Sequence, residues 1–436
     1  MPLTPEHKQI VADAEAGRPD AQFLLSQVCL QNGDTEGMLH WLHQACANGV
    51  PDAIAALGRC YEKGQGLQRD MVAAMEHYDR AIQAGSSFAA YEKAQLLYKS
   101  RQGAESSDLV YELLVNAAEA NVIPALRSMG YLAMQHESQK DIALACLRRA
   151  AVRGDPVSSF ILGSCLLEGW RGEEDSDEAV QWLQQAASVD YPFAAALLSS
   201  LQGTQPVPKA QLPEEKIQFG AAFALYPQSQ GVDQQVICTD PPITLFKNVL
   251  SVVDCAYLIF LSRPYLQRAH VIDPEGDESG MVSDVRTSMS TYLPFEMVDI
   301  ISRFVELRII HTTGEDLLSS EPMSILQYAP GEYYRPHVDF FDPKLTVAEE
   351  FFQDGGQRTA SAVTYLVAPA AGGGTSFPKL DLTVPASMGS ILWFRNCFDD
   401  GEIDERSLHA GDTVDDGEKW VVTKWFRENP TRYLQL

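Results

Sequence analysis

The stretch Gln327–Phe340, QYAPGEYYRPHVDF, holds the densest chemistry in the chain. His337 and Asp339 stand one residue apart, so on an extended segment both side chains leave the same face. One short segment can thereby offer an imidazole and a carboxylate to a single metal ion. A third ligand has to come from elsewhere, and His409 in SLHAG is the best candidate. Two histidines and one carboxylate on one side of Fe(II) leave the opposite positions open for a cosubstrate and O2. The pair alone is weak evidence, since His-x-Asp also occurs in surface turns, and a loop histidine bonded to a backbone carbonyl would look like His409. Further on comes Lys419, within GEKWVVTKWF. A lysine entering an apolar strand is costly to bury unpaired, and a ligand carboxylate would satisfy it. Lys424 competes for that role, but strict alternation sends it to the face opposite Lys419. Either lysine could also lie on the outside of an edge strand. Tyr365 could add a hydroxyl to the same carboxylate.

These residues need a scaffold that brings distant segments together. Ser324–Tyr328, Ala360–Ala368, Ser390–Phe394 and Trp420–Phe426 read as short strands rich in β-branched and aromatic residues, while Val249–Leu261 and Pro294–Arg308 read as helices. Short strands between glycine-rich turns, behind a helical entry, suggest a barrel or a double-sheet jelly roll.

The first half is organised differently. Gly17, Gly49, Gly85, Asn121, Gly154 and Asp190 recur at intervals of 32 to 36 residues. Small residues follow at fixed offsets: Ala21, Ala53, Ala89, Ala125, Ser158 and Ala194, then Ser26, Gly58, Ala94, Gly130, Gly163 and Ser199. Such recurrence implies close helix approach once per repeat, with a left-handed turn between repeats. In Asp52–Gly85, one stripe is Ala53, Ala56, Leu57 and Tyr61, and a second is Met71, Met75, Tyr78 and Ile82, with Asp70 as its N-cap. Gly64 and Gly66 make a helix–helix turn and not a dinucleotide loop, because no strand precedes them. A helix pair cannot bury its apolar face alone, so the pairs should stack into an α-solenoid. The pattern resembles Sel1-like repeats, relatives of the tetratricopeptide class, over roughly residues 17–200. That resemblance implies protein or peptide binding; the alternative is a rigid spacer or dimer surface.

Composition narrows the function classes. The chain has 436 residues and a formal net charge of -26, spread over both halves. Without a local basic groove it repels phosphate backbones, which argues against nucleic acid as a direct partner. No stretch is apolar and long enough to cross a bilayer, and the first residues lack a signal-peptide pattern. Eight cysteines with no CxxC pair sit mostly in helical apolar patterns. A reduced, cytoplasmic protein is the expectation.

From about Pro242 to Arg427 the chain resembles the catalytic domain of prolyl 4-hydroxylases, within the 2-oxoglutarate- and Fe(II)-dependent oxygenases. The resemblance rests on RTS at Arg286–Ser288, Tyr328, Gly331, Tyr334 and His337–Asp339. It continues through Arg358 with Tyr365 and Leu366, GGGTSFP at Gly372–Pro378, GSILWF at Gly389–Phe394, and SLHAG, GEKW and KWF near the end. It implies a double-stranded β-helix in which His337, Asp339 and His409 bind Fe(II) and Lys419 pairs with the distal carboxylate of 2-oxoglutarate. Tyr365 would assist Lys419, with Tyr328 and Thr375 lining the pocket, O2 as second cosubstrate and ascorbate as a reductant. Arg286 and Arg358 would either contact the peptide or brace the barrel through internal carboxylates. Tyr334 is a candidate platform for a proline ring, and Asp273–Val285 either a lid or a plain surface loop. After HAG, Asp412 and Thr413 replace the family's small-then-proline pair, and Asp404 lies upstream, which alters the charge at the mouth of the site. A collagen-like substrate is therefore not expected.

The chain thus reads as multidomain: an all-α solenoid of helix pairs over 1–202, a linker or wrapped connection over 203–235, and a jelly roll with supporting helices over 236–436. The expected activity is hydroxylation of a peptidyl proline, at C4, in an intracellular protein. Hydroxylation of another residue or of a free amino acid, and a non-catalytic adaptor, are the alternatives.

Overall fold

The computed structural model describes residues 5–100, 106–170, 176–201, 217–227, 231–269, 285–342 and 352–434. These form two compact units. The first runs to residue 158 and takes in the described segment 217–225; the second holds the described chain from 159 to 201 and from 226 onward.

In the first unit, helices come in antiparallel pairs such as Pro51–Lys63 with Met71–Gln83 and Ile123–Ala133 with Lys140–Val152. The residues expected to head the repeats all adopt left-handed backbone, from Asp190 at φ 54° to Gly85 at φ 98°. Each reverses the chain out of one repeat and into the next. The Asp70 carboxylate accepts the Ala73 N–H at 2.9 Å, capping Met71–Gln83. Gly130 marks a close helix approach: a Cβ there would lie 2.6 Å from the Leu147 side chain. Inside the stack, Lys99 donates to Glu62 at 2.7 Å and the Tyr78 hydroxyl donates to the other Glu62 oxygen at 2.7 Å. All three are buried, so this charge pair is closed on itself.

The composition shift expected near residue 202 is not where the contacts divide the chain. The last helix pair, Pro156–Leu167 and Ser176–Ala187, belongs largely with the second unit. The Tyr191 ring lies 4.9 Å from Phe160 and 4.8 Å from Phe260 on the helix Val252–Ser262. Arg263 adds a 2.8 Å ion pair to Asp190.

Among the described residues the strands of the second unit form two larger antiparallel sheets and one two-stranded pair. These strands are β1 (Asp233–Thr239), β2 (Pro242–Lys247), β3 (Gln267–Arg268), β4 (Met289–Leu293), β5 (Met323–Tyr328), β6 (Tyr334–His337) and β7 (Arg358–Val367). There follow β8 (Ala371–Gly372), β9 (Thr375–Phe377), β10 (Leu382–Val384), β11 (Ile391–Arg395), β12 (His409–Gly411), β13 (Val414–Asp416) and β14 (Lys419–Arg427). Among the described residues the larger sheet has the order β1-β2-β11-β7-β14-β5-β4-β3 and the smaller β10-β9-β12-β6, with β13 paired to β8. Side chains from both, among them Leu326, Val363, Phe377, Leu392, Phe394 and Val421, form one core. This is a jelly roll, and all four strands expected from the sequence lie in its larger sheet.

The supporting helices start later than their apolar patterns suggested. Val252–Ser262 begins after a Ser251–Asp254 capping box, and Ile300–Thr313 after an Asp299–Ser302 capping box. Reciprocal capping bonds stop both helices from extending toward Val249 or Pro294. Of the segment considered as a lid, residues 273–284 lie outside the described residues. No described helix is long and apolar enough to cross a membrane.

Candidate active site

The smaller sheet brings the two histidines together. β6 and β12 pair antiparallel with His337 directly opposite His409, and the register slips between His409 and Gly411. Their rings lie 4.2 Å apart. Asp339, just past β6, reaches between them: its oxygens lie 3.8 Å from His337 Nε2 and 3.7 Å from His409 Nε2. One ligand atom from each residue lies within 4.8 Å of the others. The separation of an imidazole pair and a carboxylate in the sequence has become a single cluster.

Each histidine uses the same device to aim its ring. Nδ1 of His337 donates to the Arg335 carbonyl and Nδ1 of His409 to the Ser407 carbonyl, both at 2.9 Å. A carbonyl only accepts, so the hydrogen sits on Nδ1 and the Nε2 lone pair faces the cluster. Burial, with the second imidazole beside it, lowers the His337 pKa to about 3. Burial alone would raise Asp339, but His409, His337 and Arg358 outweigh it and hold its carboxyl at about 2. Near neutral pH the cluster therefore contains an ionised carboxylate beside a neutral His337, a donor set suited to a divalent iron.

Outer contacts hold this arrangement. Ser361 on β7 donates to Asp339 Oδ2 at 2.7 Å, and Asn396 donates to Ser361 at 2.9 Å. Gln357 accepts the Phe341 and Arg358 N–H groups and donates to the Phe341 carbonyl, all at 2.8 Å, which pins the segment after Asp339. The Tyr334 ring stacks on His337 at 3.5 Å, with 15° between the planes. Sequence reasoning missed Ser361, Gln357 and Asn396. Position on strand β7 facing the cluster was the available signal for Ser361.

An open cleft of about 450 Å³ surrounds the cluster, lined in part by Tyr328, Thr375, Lys419 and Arg286. Along β14, Lys419, Val421, Thr423 and Trp425 face this cleft. Lys424 faces away and pairs with Glu306 on Ile300–Thr313, where Arg303 also donates. Alternation thus separates the two lysines. Lys419 is 3% exposed, yet its ammonium donates to one described carbonyl, that of Gly374, at 3.3 Å. Burial lowers its pKa to about 8, partly offset by Asp412. A buried ammonium with three donors and one neutral acceptor has capacity left for a carboxylate. Tyr365 and Thr375 share a 2.8 Å hydrogen bond, and Thr375 reaches the cleft. The Tyr328 hydroxyl is held by Ser288 and Arg286.

The structure separates the two arginines. Arg358 donates to both oxygens of Glu321, at 2.6 and 2.7 Å, and to the Asp339 carbonyl at 3.4 Å. Its guanidinium lies 3.9 Å from the centre of the Trp425 ring. This is the bracing alternative, with its donor fork directed inward. Arg286 donates to Ser288 at 3.2 Å and lies 5.0 Å over Tyr334, lining the cleft. Asp404, expected to charge the mouth, instead binds Arg406 through both oxygens, which lowers its pKa. Asp412 accepts from Ser376 at 2.6 Å.

Residues 323–427 match the 2OG-Fe(II) oxygenase superfamily, and residues 19–50, 51–86 and 156–191 match the Sel1 repeat. Prolyl 4-hydroxylase 1 of Arabidopsis thaliana is 33% identical over 214 residues, covering 46% of this chain and 74% of that protein. The viral collagen prolyl hydroxylase of Paramecium Bursaria Chlorella virus-1, solved with 2-oxoglutarate, is 24% identical, with a TM-score of 0.34 over 44% of this chain and 98% of that one. A Sel1 repeat protein from Oxalobacter formigenes is 24% identical, with a TM-score of 0.36 over 42% of this chain and 77% of that one. The chain belongs to the Fe(II)- and 2-oxoglutarate-dependent dioxygenases of the prolyl 4-hydroxylase type, and carries its oxygenase domain behind Sel1 repeats.

Proposed function

We propose that the oxygenase unit hydroxylates a peptidyl proline at C4 in an intracellular protein. The observation that carries this reading is the His337–Asp339–His409 cluster opening into the same cleft as the under-partnered Lys419. Proline as the target is supported by the likeness to the plant prolyl 4-hydroxylase. Fe(II) with 2-oxoglutarate supplies the oxidation: one atom of O2 enters the substrate C–H bond, and the other leaves in succinate as CO2 is lost.

The chain's own residues bind and orient. His337, Asp339 and His409 hold the metal, with rings fixed by the Arg335 and Ser407 carbonyls and the carboxylate fixed by Ser361. Lys419 takes the distal carboxylate of 2-oxoglutarate, assisted by the Tyr365–Thr375 pair, and Tyr328 borders the cosubstrate. Arg286 and Tyr334 face the peptide, while Arg358 positions Asp339 from behind. The net charge of -26 favours a proline in basic surroundings. Free thiols on all eight cysteines support a reducing compartment. The Sel1 repeats capture the protein target, an arm that a free amino acid would not need.

The test is succinate formation from 2-oxoglutarate by the full chain with Fe(II), O2 and ascorbate, in the presence of proline-bearing basic peptides. A one-oxygen mass gain on proline supports the reading. Succinate coupled to oxidation of another residue or of a free amino acid overturns the substrate, and no coupled succinate favours an adaptor.

A further inference from the structure

Residues 217–225, IQFGAAFAL, lie in the first unit as a chain segment that is neither helix nor paired strand. Burial nevertheless alternates along it. Ile217, Phe219 and Phe223 are half-buried and Leu225 is buried, whereas Gln218, Gly220, Ala221, Ala222 and Ala224 are exposed, so the alternation breaks once, at Ala221. A period of two on each side of that break is the mark of an extended chain laid on a surface. Its backbone is held by side chains of the repeats. Tyr111 donates to the Gly220 carbonyl at 3.3 Å, His136 Nε2 to that of Ala224 at 2.7 Å, and Tyr98 to that of Leu225 at 2.7 Å. The Phe223 ring lies 5.4 Å from Tyr111, edge to face, and 5.2 Å from His136.

The three donors come from different elements. Tyr98 ends the helix Ser87–Lys99, Tyr111 opens Ser107–Glu119, and His136 follows Ile123–Ala133. Together they make a slot that reads main-chain carbonyls plus an aromatic and an aliphatic side chain two positions apart. Carbonyl recognition does not depend on which chain supplies the carbonyls. Apart from Gln218 the outward residues are small, so little on that side identifies the segment as its own.

We propose that this slot is a peptide-binding site, filled in the resting chain by residues 217–225. Its exchange partner is an extended segment of another protein with an aromatic residue two positions before an aliphatic one. Tethering gives the resident segment a roughly millimolar effective concentration, so it blocks weak external peptides and yields to tighter ones. The inference stands apart from the oxygenase reading, because no residue of the catalytic cleft takes part.

The probe is a fluorescein-labelled peptide of residues 218–226, QFGAAFALY, added to the full chain and followed by anisotropy. The Phe223→Ser/Leu225→Ser chain, whose resident segment is released, should bind it at least tenfold more tightly than the unaltered chain. Adding Tyr98→Phe and Tyr111→Phe should remove that gain. Equal weak binding by both chains overturns the proposal and makes the segment a fixed anchor. A second measurement guards against a loosened fold: excess unlabelled peptide added to the unaltered chain should speed amide hydrogen exchange at 220–225 but not within Ser87–Lys99. Unchanged exchange at 220–225 with saturating peptide also overturns it.

Discussion

The repeats and the jelly roll bury lysines to opposite ends. In the repeats, Lys99 meets the Glu62 carboxylate, and Tyr78 fills the second oxygen of that carboxylate. In the jelly roll, Lys424 is likewise matched to Glu306 behind the larger sheet. Lys419, a few residues earlier on the same strand, is buried beside aromatic rings with one carbonyl for company. A closed pair fixes structure, because its charges have already found each other. An open one costs stability until a ligand completes it, which is why it marks a site. The units differ in reach as well. A repeat closes its contacts with its neighbour in the chain, whereas His337 meets His409 only after the sheets have assembled around them.

The largest test of that contrast is removal of a proposed ligand. Asp339→Ala or His409→Ala should lower Fe(II) affinity by more than the roughly 100-fold that loss of an outer partner costs, and abolish coupled succinate formation. Metal content after dialysis and succinate release check this, while far-ultraviolet circular dichroism of the repeats should not move. Retained turnover in either variant would mean that iron sits elsewhere.

The two lysines on β14 provide the next comparison. Lys419→Ala should weaken 2-oxoglutarate binding by about 2–3 kcal/mol, roughly 30- to 150-fold, with unfolding little changed. Lys424→Met should do the reverse, destabilising the oxygenase unit by about 3 kcal/mol because the buried Glu306 Oε1 loses its donor while Oε2 keeps Arg303, and leaving cosubstrate affinity alone. Calorimetric titration and denaturant unfolding of both variants separate the roles. Lys419 also carries a pH signature. Its ammonium is present below a pKa of about 8 and lost above it, so 2-oxoglutarate affinity should fall as pH rises through that value. A bound dicarboxylate shifts that fall to higher pH.

A smaller effect is expected at Ser361. Ser361→Ala removes the hydroxyl that orients Asp339 and leaves the Asn396 amide without its acceptor. Fe(II) affinity should drop about tenfold, with 2-oxoglutarate affinity unchanged at saturating metal. Ser361→Thr, which keeps a hydroxyl, should restore most of it. Equal metal affinity in the alanine variant would show that the backbone past β6 alone aims Asp339.

What could be foreseen from the sequence follows the same division. The heads of the repeats were legible because a left-handed position demands Gly, Asn or Asp, and that demand recurs at a fixed interval. The facing of His337 and Lys419 was legible because alternation along a strand sets the face that each side chain leaves by, whereas Asp339 reaches the cluster from just past the end of β6. The three-residue strands β9 and β12 were not, since periodicity needs more residues than they have. Nor were Ser361 and Gln357, and for Arg358 the sequence left open whether it faces a peptide or an internal carboxylate such as Glu321. Each is a contact between segments far apart in the chain, with a residue type that serves equally well at the surface. The contacts divide the chain after residue 158, inside a run of repeats whose Sel1 match extends to 191, and the ring contacts of Tyr191 lie beyond any composition window.

The smallest predicted effect lies at Gly130, where two physical terms nearly cancel. In an exposed helix, Gly→Ala gains about 1 kcal/mol from backbone propensity. Here the added methyl would lie 2.6 Å from the Leu147 side chain and 3.3 Å from the Ala143 carbonyl. Leu147 is fully buried, so it has no open direction in which to retreat, and overpacking costs about 1–3 kcal/mol. Gly130→Ala should therefore destabilise the first unit by about 1 kcal/mol in denaturant unfolding. Gly85→Ala, with no atom near its Cβ direction but φ at 98°, isolates the backbone strain without the clash. Neither change should alter iron or 2-oxoglutarate affinity. If Gly130→Ala instead stabilised the repeats, the small residues would be there for something other than helix approach, and the recurring pattern at that position would need a different cause.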